Sequence, residues 1–346
     1  MKLPVVSAIG LLAMSLFLGV QLPATAQAIG TDEFSTAAGS CNNLTVFLIH
    51  RKNLDRKGQT AGSKNFLTLS EALAQKKLVI NETGDVNKLT IQNFGERTVF
   101  MQGGDIIKGG RQDRALQSDL ILPPKSKLTE INVFCVEHGR WSQRGQESDK
   151  GFATSYEALP STELKMSALA KKDQSDVWSN VEKFQGMVSG RLQTDATAKA
   201  SPTSLQLTLE NKKIRDAAQQ YVDKLGKVIE GKNDVVGYAL SINGTITSSD
   251  VYDSPDLFKK MWHKQLSAAA TEAFMKQGQQ HVPAAAPSAT ALTAQLQSRD
   301  SHSQTRTESA GTADVETDES PQSVVLKTTD GKGHIYHRSY INKSAL

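Results

Sequence analysis

Hydrophobic and polar positions fall into three regimes along the chain. Residues 5–20 are almost wholly apolar, follow a single Lys2, and run into a small-residue stretch at residues 21–28. Residues 42–277 carry apolar positions at recognisable strand and helix periods. Residues 283–322 are rich in Ala, Ser, Thr, Gln and Asp, and no aromatic residue occurs between Met275 and Ile335.

The middle regime opens as β structure. Residues 43–50 (NLTVFLIH) read as a short buried strand. Thr68-Leu69-Ser70-Glu71 matches a capping box and predicts a helix to about Lys77. Residues 78–82 return to strand character. In residues 86–93, Leu89, Ile91 and Asn93 share one face while Lys88, Thr90 and Gln92 share the other, the pattern of a half-buried antiparallel strand. Further strands are expected at residues 98–102, 119–122 and 130–137.

The second half turns helical. Residues 164–172 favour helix. Val177, Val181, Phe184 and Val188 recur at helical spacing, as do Ile214, Ala217, Tyr221, Leu225 and Val228. Residues 235–242 and 245–251 flank Asn243-Gly244, the preferred hairpin turn. Ser254-Pro255 caps a last helix with Leu257, Phe258, Met261, Trp262 and Leu266 on its apolar face. The expected fold is α+β: one domain over residues 42–277, with a largely antiparallel β-sheet core and packed amphipathic helices in its second half. Residues 283–322 read as a disordered linker whose deletion leaves stability nearly unchanged. Residues 323–342 read as a β-hairpin able to rejoin the sheet.

Composition narrows the function classes. With 38% hydrophobic and 22% charged residues in 346, the chain is neither collagenous nor wholly disordered. The formal charge of +4, from 40 basic and 36 acidic residues, is too slight to imply a nucleic-acid partner. Lys2, the apolar run, and the A-x-A sequences Ala24-Thr25-Ala26 and Ala26-Gln27-Ala28 fit a cleaved signal peptide over residues 1–28. The run is short of the roughly 20 residues a membrane helix needs, so no stable span is expected after cleavage. The expected location is therefore periplasmic or secreted. In such a compartment Cys41 and Cys135 are candidates for one disulfide, against the reading of two separate thiols.

Candidate chemistry is concentrated between Gln102 and Trp141. In the stretch GGDIIKGGRQDR, Gly103 and Gly104 allow close backbone approach to a ligand, and Arg111 and Arg114 suit bidentate contact with phosphate or carboxylate. The other reading is two tight turns with solvated charges. In VFCVEHGRW, Glu137 ends a largely apolar strand, where burial would raise its pKa unless a cation such as Arg111, Arg114 or Arg140 pairs with it. It then serves as a general base or hydroxyl contact, or as half of a structural ion pair. Asp250 is a further polar candidate beside a turn reading. His334 and His337 point to opposite faces of one strand and make a poor metal pair, and no metal-ligand or hydrolase motif is present.

The succession GGDIIKGGRQDR, VFCVEHGRW and VVGYALSINGTITSSDVYDSPDLF resembles the bacterial ADP-ribosylglycohydrolase- and rhodanese-phosphatase-superfamily-associated domain family. That family favours Gly-Glu where this chain has Gly104-Asp105, and retains a Gln-x-Arg (Gln112, Arg114) and a Cys-x-Glu followed by Arg-Trp (Cys135, Glu137, Arg140, Trp141). The resemblance implies a nucleotide- or ADP-ribose-related role but brings no established reaction and no cofactor. The resulting expectation is an exported domain that binds, and in one version processes, a small anionic ligand. Glu137 and Asp105 would contact hydroxyls as the catalytic candidates. Arg111, Arg114 and Arg140 would hold phosphate or carboxylate, Gln112 would orient the ligand and Trp141 would stack on it. The alternative is a non-enzymatic envelope or interaction module whose polar cluster is structural.

Overall fold

A computed structural model of the protein describes residues 32–52, 65–147, 151–153, 155–278 and 304–346. The expected signal peptide lies outside the described residues. No helix among them is long and apolar enough to cross a membrane. The fold is α+β and built mainly from antiparallel sheets.

The largest sheet has eight antiparallel strands in the order β1-β2-β12-β13-β17-β16-β15-β14. These are β1 (Asp32–Cys41), β2 (Leu44–Arg51), β12 (Val235–Ile242), β13 (Thr245–Tyr252), β14 (Gln304–Ala310), β15 (Ala313–Glu319), β16 (Ser323–Thr329) and β17 (Ile335–Asn342). The β12–β13 hairpin turns through Asn243 and Gly244, both at positive φ, as the Asn-Gly pair requires. Two helices, α5 (Lys212–Leu225) and α6 (Pro255–Lys276), cover one face. Leu44, Val46, Leu48, Tyr238 and Leu240 on the strands bury Tyr221, Leu225, Phe258, Met261 and Trp262 on these helices. Helix α6 starts as its sequence suggests, with the Leu257 amide donating to Ser254 Oγ at 3.3 Å and Pro255 in its first turn.

Six short strands form a second antiparallel sheet in the order β11-β7-β8-β10-β5-β4. They are β4 (Leu78–Glu82), β5 (Lys88–Asn93), β7 (Ile106–Gly109), β8 (Arg114–Leu116), β10 (Thr129–Cys135) and β11 (Phe152–Ala153). An antiparallel bridge between Asn81 and Gly151 joins the two outer strands, so the sheet closes on itself. The registers Ile80↔Ile91, Leu89↔Ile131, Val133↔Leu116 and Cys135↔Arg114 place these residues on its inner face. A small third sheet, β3-β6-β9, comprises β3 (Leu67–Thr68), β6 (Val99–Met101) and β9 (Leu120–Leu122). Helix α1 (Leu69–Ala74) has the full capping box, Glu71 N–H to Thr68 Oγ1 at 3.3 Å and Thr68 N–H to Glu71 Oε2 at 2.8 Å. Helices α2 (Thr162–Lys165), α3 (Gln174–Leu192) and α4 (Leu205–Leu209) pack Leu164, Val177, Val181, Phe184 and Leu205 into the core of the closed sheet.

Three expectations change. The segment read as a linker over residues 283–322 contains β14 and β15, which pair with each other and with β16. Its mean composition concealed an alternation: Ala313, Val315 and Thr317 are buried while the residues between them face outward. Sheet pairing supplies the backbone hydrogen bonds, so one apolar residue in two suffices, and deletion would remove two strands. The helix expected over residues 164–172 leaves α-geometry after Lys165 for a wider π-turn over Met166–Lys171, ended by Lys172 at positive φ. Cys41 and Cys135 are both buried free thiols in separate cores, and the disulfide is not formed. Cys41 ends a strand of the large sheet, whereas Cys135 ends the central strand of the closed one, so the topology separates them.

Candidate functional site

The glycine-rich stretch and the end of β10 form one rim of the closed sheet. Strand β7 ends at Gly109, the chain turns through Gly110 at φ 58°, and β8 begins at Arg114. A Cβ on Gly110 would lie 2.5 Å from Glu82 Oε1 and from the Phe152 ring, so no larger residue fits. That close approach lets the Arg111 N–H donate to Glu82 Oε1 at 2.8 Å. It ties the turn to the far strand β4.

Arg114 is the largest fully buried side chain among the described residues, at 0% exposure. Its Nε–H donates to the Val86 carbonyl at 2.9 Å. Its Nη2 is 3.7 Å from Glu82 Oε2, an ion pair beyond hydrogen-bond reach. Arg114 Nη1 and Nη2, Glu82 Oε2 and Gln112 Oε1 have no hydrogen-bond partner among the described residues. Arg114 and Glu82 meet directly, and Gln112 is connected to Arg114 through Cys135. Gln112 Nε2 donates to the Glu137 carbonyl at 2.8 Å, the same oxygen that the Cys135 thiol reaches. Cys135 stands opposite Arg114 across the sheet. Burial pushes the Cys135 thiol up to about 11, against the opposing pull of Arg114 and the Trp178 indole, so it is a neutral lining group and a poor nucleophile. Trp141, 40% exposed, lies over the two arginines, its ring centroid 5.3 Å from the Arg111 guanidinium carbon and 5.8 Å from that of Arg114.

Beside these arginines lies a saturated ion network. Arg140 grips Glu137 with two bonds of 2.6 Å, and Arg144 grips Asp113 with bonds of 2.7 and 2.9 Å. Arg144 Nη1 also reaches Glu137 Oε1 at 3.1 Å, and the Asp113 N–H donates to Glu137 Oε2 at 2.8 Å. Ser204 Oγ–H completes Asp113 at 2.7 Å. Burial alone would raise the Glu137 pKa, but the hydrogen bonds from Arg140 and the other donors outweigh it and hold the carboxyl below its ordinary value. Both oxygens are already engaged, so Glu137 has no lone pair left for a substrate proton. The expected general base is a structural anion that fixes Arg140, Arg144 and the Gly110–Asp113 turn.

Asp105 does not join this site. Gly104, at φ 86°, turns the chain, and Asp105 faces the other way to pair with Lys264 of α6. Asp105 Oδ2 accepts from the Gln102 N–H at 3.2 Å, and the Gly103 N–H donates to Asp119 Oδ1 at 2.8 Å. Gly103, Gly104 and Asp105 thus belong to a second polar cluster, between the large sheet and the β6–β9 loops. At its centre is His337, 2% exposed, with Nδ1 2.7 Å from Asp119 Oδ2 and Nε2 3.1 Å from Asp250 Oδ1. Tyr238 donates to Asp250, Thr328 donates to Asp119 at 2.5 Å, and Tyr252 donates to Gln102 Oε1 at 2.8 Å. Burial disfavours a charged imidazole, yet the two flanking carboxylates raise the His337 pKa to about 10. The side chain is an imidazolium donating from both nitrogens. Among the described residues the two clusters share no side-chain hydrogen bond or ion pair.

Sequence reasoning thus brought together Arg111, Gln112, Arg114, Glu137, Arg140 and Trp141, and wrongly added Asp105 with its two glycines. It missed Glu82, Asp113, Arg144, Ser204 and Trp178. Only Asp113, inside the GGRQDR stretch, carried a local signal. Trp141 is engaged by two guanidinium groups and leaves its exposed side to solvent. No group of three or more His, Cys, Asp and Glu among the described residues is arranged to hold a metal ion.

No curated protein and no solved structure matches the chain. The family model for the ARPP-1 domain, the ARG and Rhodanese-Phosphatase-superfamily-associated Protein domain, matches residues 35–346, spanning both polar clusters and the C-terminal strands. The chain belongs to that family.

Proposed function

We propose that this protein is an exported domain that binds a small anionic ligand, of the nucleotide or ADP-ribose-derivative class, at the mouth of the closed sheet. The observation that carries this reading is Arg114: a fully buried guanidinium with two terminal nitrogens unpartnered, under a half-exposed tryptophan. Buried donors and acceptors left without hydrogen bonds cost stability, and such atoms on facing side chains mark a place where a ligand would complete the bonding. Arg114 supplies the anion contact and Trp141 the cover. Arg111, held by Glu82, is the second cation at the rim. Glu137, Arg140, Arg144 and Asp113 keep the turn rigid behind them. The reading is one of binding: the residue expected to act as base is fully engaged by cations. The family name, recording an association with ARG and rhodanese-phosphatase proteins, is consistent with an anionic ligand.

Thermal shift measurements with ADP-ribose, ribose phosphate and inorganic phosphate test the reading. A ligand at 100 times its Kd stabilises the folded state by about 2.7 kcal/mol. The expected result is a clear rise in melting temperature for wild type with at least one of these anions and none for Arg114→Met. Absence of any shift in wild type favours the alternative, an envelope or interaction module with structural polar clusters. Export is tested separately. Cell fractionation should place the protein outside the cytoplasm, and its N-terminus should follow Ala26 or Ala28.

A further inference from the structure

We infer that the ligand of the Arg114 mouth is a hydroxylated organic anion, its hydroxyl groups recognised by Glu82 Oε2 and Gln112 Oε1 while the anionic group meets Arg114. This rests on the anion-binding reading and specifies its substrate class. The unpartnered atoms are of two kinds. Arg114 Nη1 and Nη2 are donors only, whereas Glu82 Oε2 and Gln112 Oε1 are acceptors only. Inorganic phosphate as a dianion, or a simple carboxylate, presents acceptors alone. It would satisfy the donors and leave both acceptors buried without partners. Glu82 Oε2 is also a negative charge 3.7 Å from Arg114 Nη2, so a bare anion entering the mouth meets repulsion from it. A ligand whose anionic group lies a few bonds from one or two hydroxyl groups offers acceptors to Arg114 and donors to Glu82 and Gln112 at once.

The two acceptors are fixed in place by their other bonds. Glu82 Oε1 is held by the Arg111 N–H at 2.8 Å, which directs Oε2 toward Arg114. Gln112 is oriented by its own Nε2–H on the Glu137 carbonyl, leaving Oε1 as the free end. That carbonyl also accepts the Cys135 thiol, so a flipped amide would lose a bond that the backbone now provides. Preoriented acceptors of this kind discriminate strongly, because an analogue without the hydroxyl leaves them buried and bare.

The test uses matched pairs differing only in hydroxyl groups: glycerol phosphate against propyl phosphate, and glycerate against propionate, titrated calorimetrically into the full chain. The expected result is that the hydroxylated member of at least one pair binds about 100-fold more tightly. In Glu82→Gln, which keeps Oε1 for the Arg111 amide and replaces Oε2 by a donor, that preference should fall at least tenfold while the variant still melts in a single cooperative transition. If both members of a pair bind wild type equally, the hydroxyl specificity is overturned while the anion site stands. If the preference survives in a folded Glu82→Gln, Glu82 is not the reader of the hydroxyl and the inference fails. If neither pair binds and no anion shifts the melting temperature, the site reading and this inference fall together.

Discussion

The protein holds two buried polar clusters that look alike in composition and differ in completion. Around His337, Asp119, Asp250 and Asp105, each anion has a cation and the tyrosine, threonine and glutamine groups are bonded among themselves. Around Arg114, the guanidinium is as deeply buried, yet its terminal nitrogens and the facing acceptors of Glu82 and Gln112 are bare. The difference teaches how to separate a structural network from a binding site. Burial and charge do not distinguish them; the balance of donors against acceptors does. The first cluster joins the large sheet to the β6–β9 loops and to α6, whereas the second lies at one rim of the closed sheet beneath the Trp141 ring.

The contrast can be broken by substitution. Replacing His337 by Leu leaves Asp119 and Asp250 facing one another without their cation, and the expected loss is about 3–5 kcal/mol of unfolding free energy in urea titration. A loss under about 1 kcal/mol would show that the cluster is not what holds the sheet to the loops.

A pH series sharpens the same point without mutation. The folded His337 pKa, about 10, lies above the ordinary 6.5. Folded protein therefore retains a proton that unfolded chain releases, and stability falls as pH rises between these values. The contribution is fully present below about pH 6.5 and is lost as pH passes about 10. Denaturation midpoints taken at about pH 6, 8 and 10 should decline more steeply in wild type than in a His337→Gln variant that folds. Parallel curves would remove the imidazolium from the account.

Arg114→Met is the mirror image of the His337 substitution. Combined with Glu82→Gln, so that no buried carboxylate loses its cation, it exchanges a buried ion pair for neutral groups of similar size, and stability should stay within about 1 kcal/mol of wild type. A loss as large as that at His337 would make Arg114 a structural residue. The smallest effect is expected for Trp141→Ala. Removing its contacts with two guanidinium groups should cost about 0.5–1 kcal/mol in the same titration while weakening ligand binding.

Much of the architecture was legible because it is written locally. The capping box at Thr68, the Asn243-Gly244 hairpin and the Ser254-Pro255 helix start are each dictated by a few adjacent residues. The site was legible to the extent that GGRQDR and the end of β10 are neighbours across two hydrogen-bonded strands. Glu82 was not, because it reaches Arg114 only through closure of the sheet between Asn81 and Gly151. Asp105 was misplaced because nearness in sequence was read as nearness in space, and one glycine at positive φ reversed its direction. His337 was judged only as half of a metal pair, since its real partners lie 218 and 87 residues away. The strands β14 and β15 were missed because average polarity hides a period of two.

The most direct test of the contrast is calorimetric titration of glycerol phosphate and ADP-ribose into wild type and the Arg114→Met, Glu82→Gln double variant, with melting curves of both proteins recorded alongside. The expected result is saturable binding of at least one of them to wild type, its loss in the double variant, and a melting temperature in that variant close to that of wild type. Equal binding to both proteins, or no binding to wild type together with a lowered melting temperature in the variant, would contradict it.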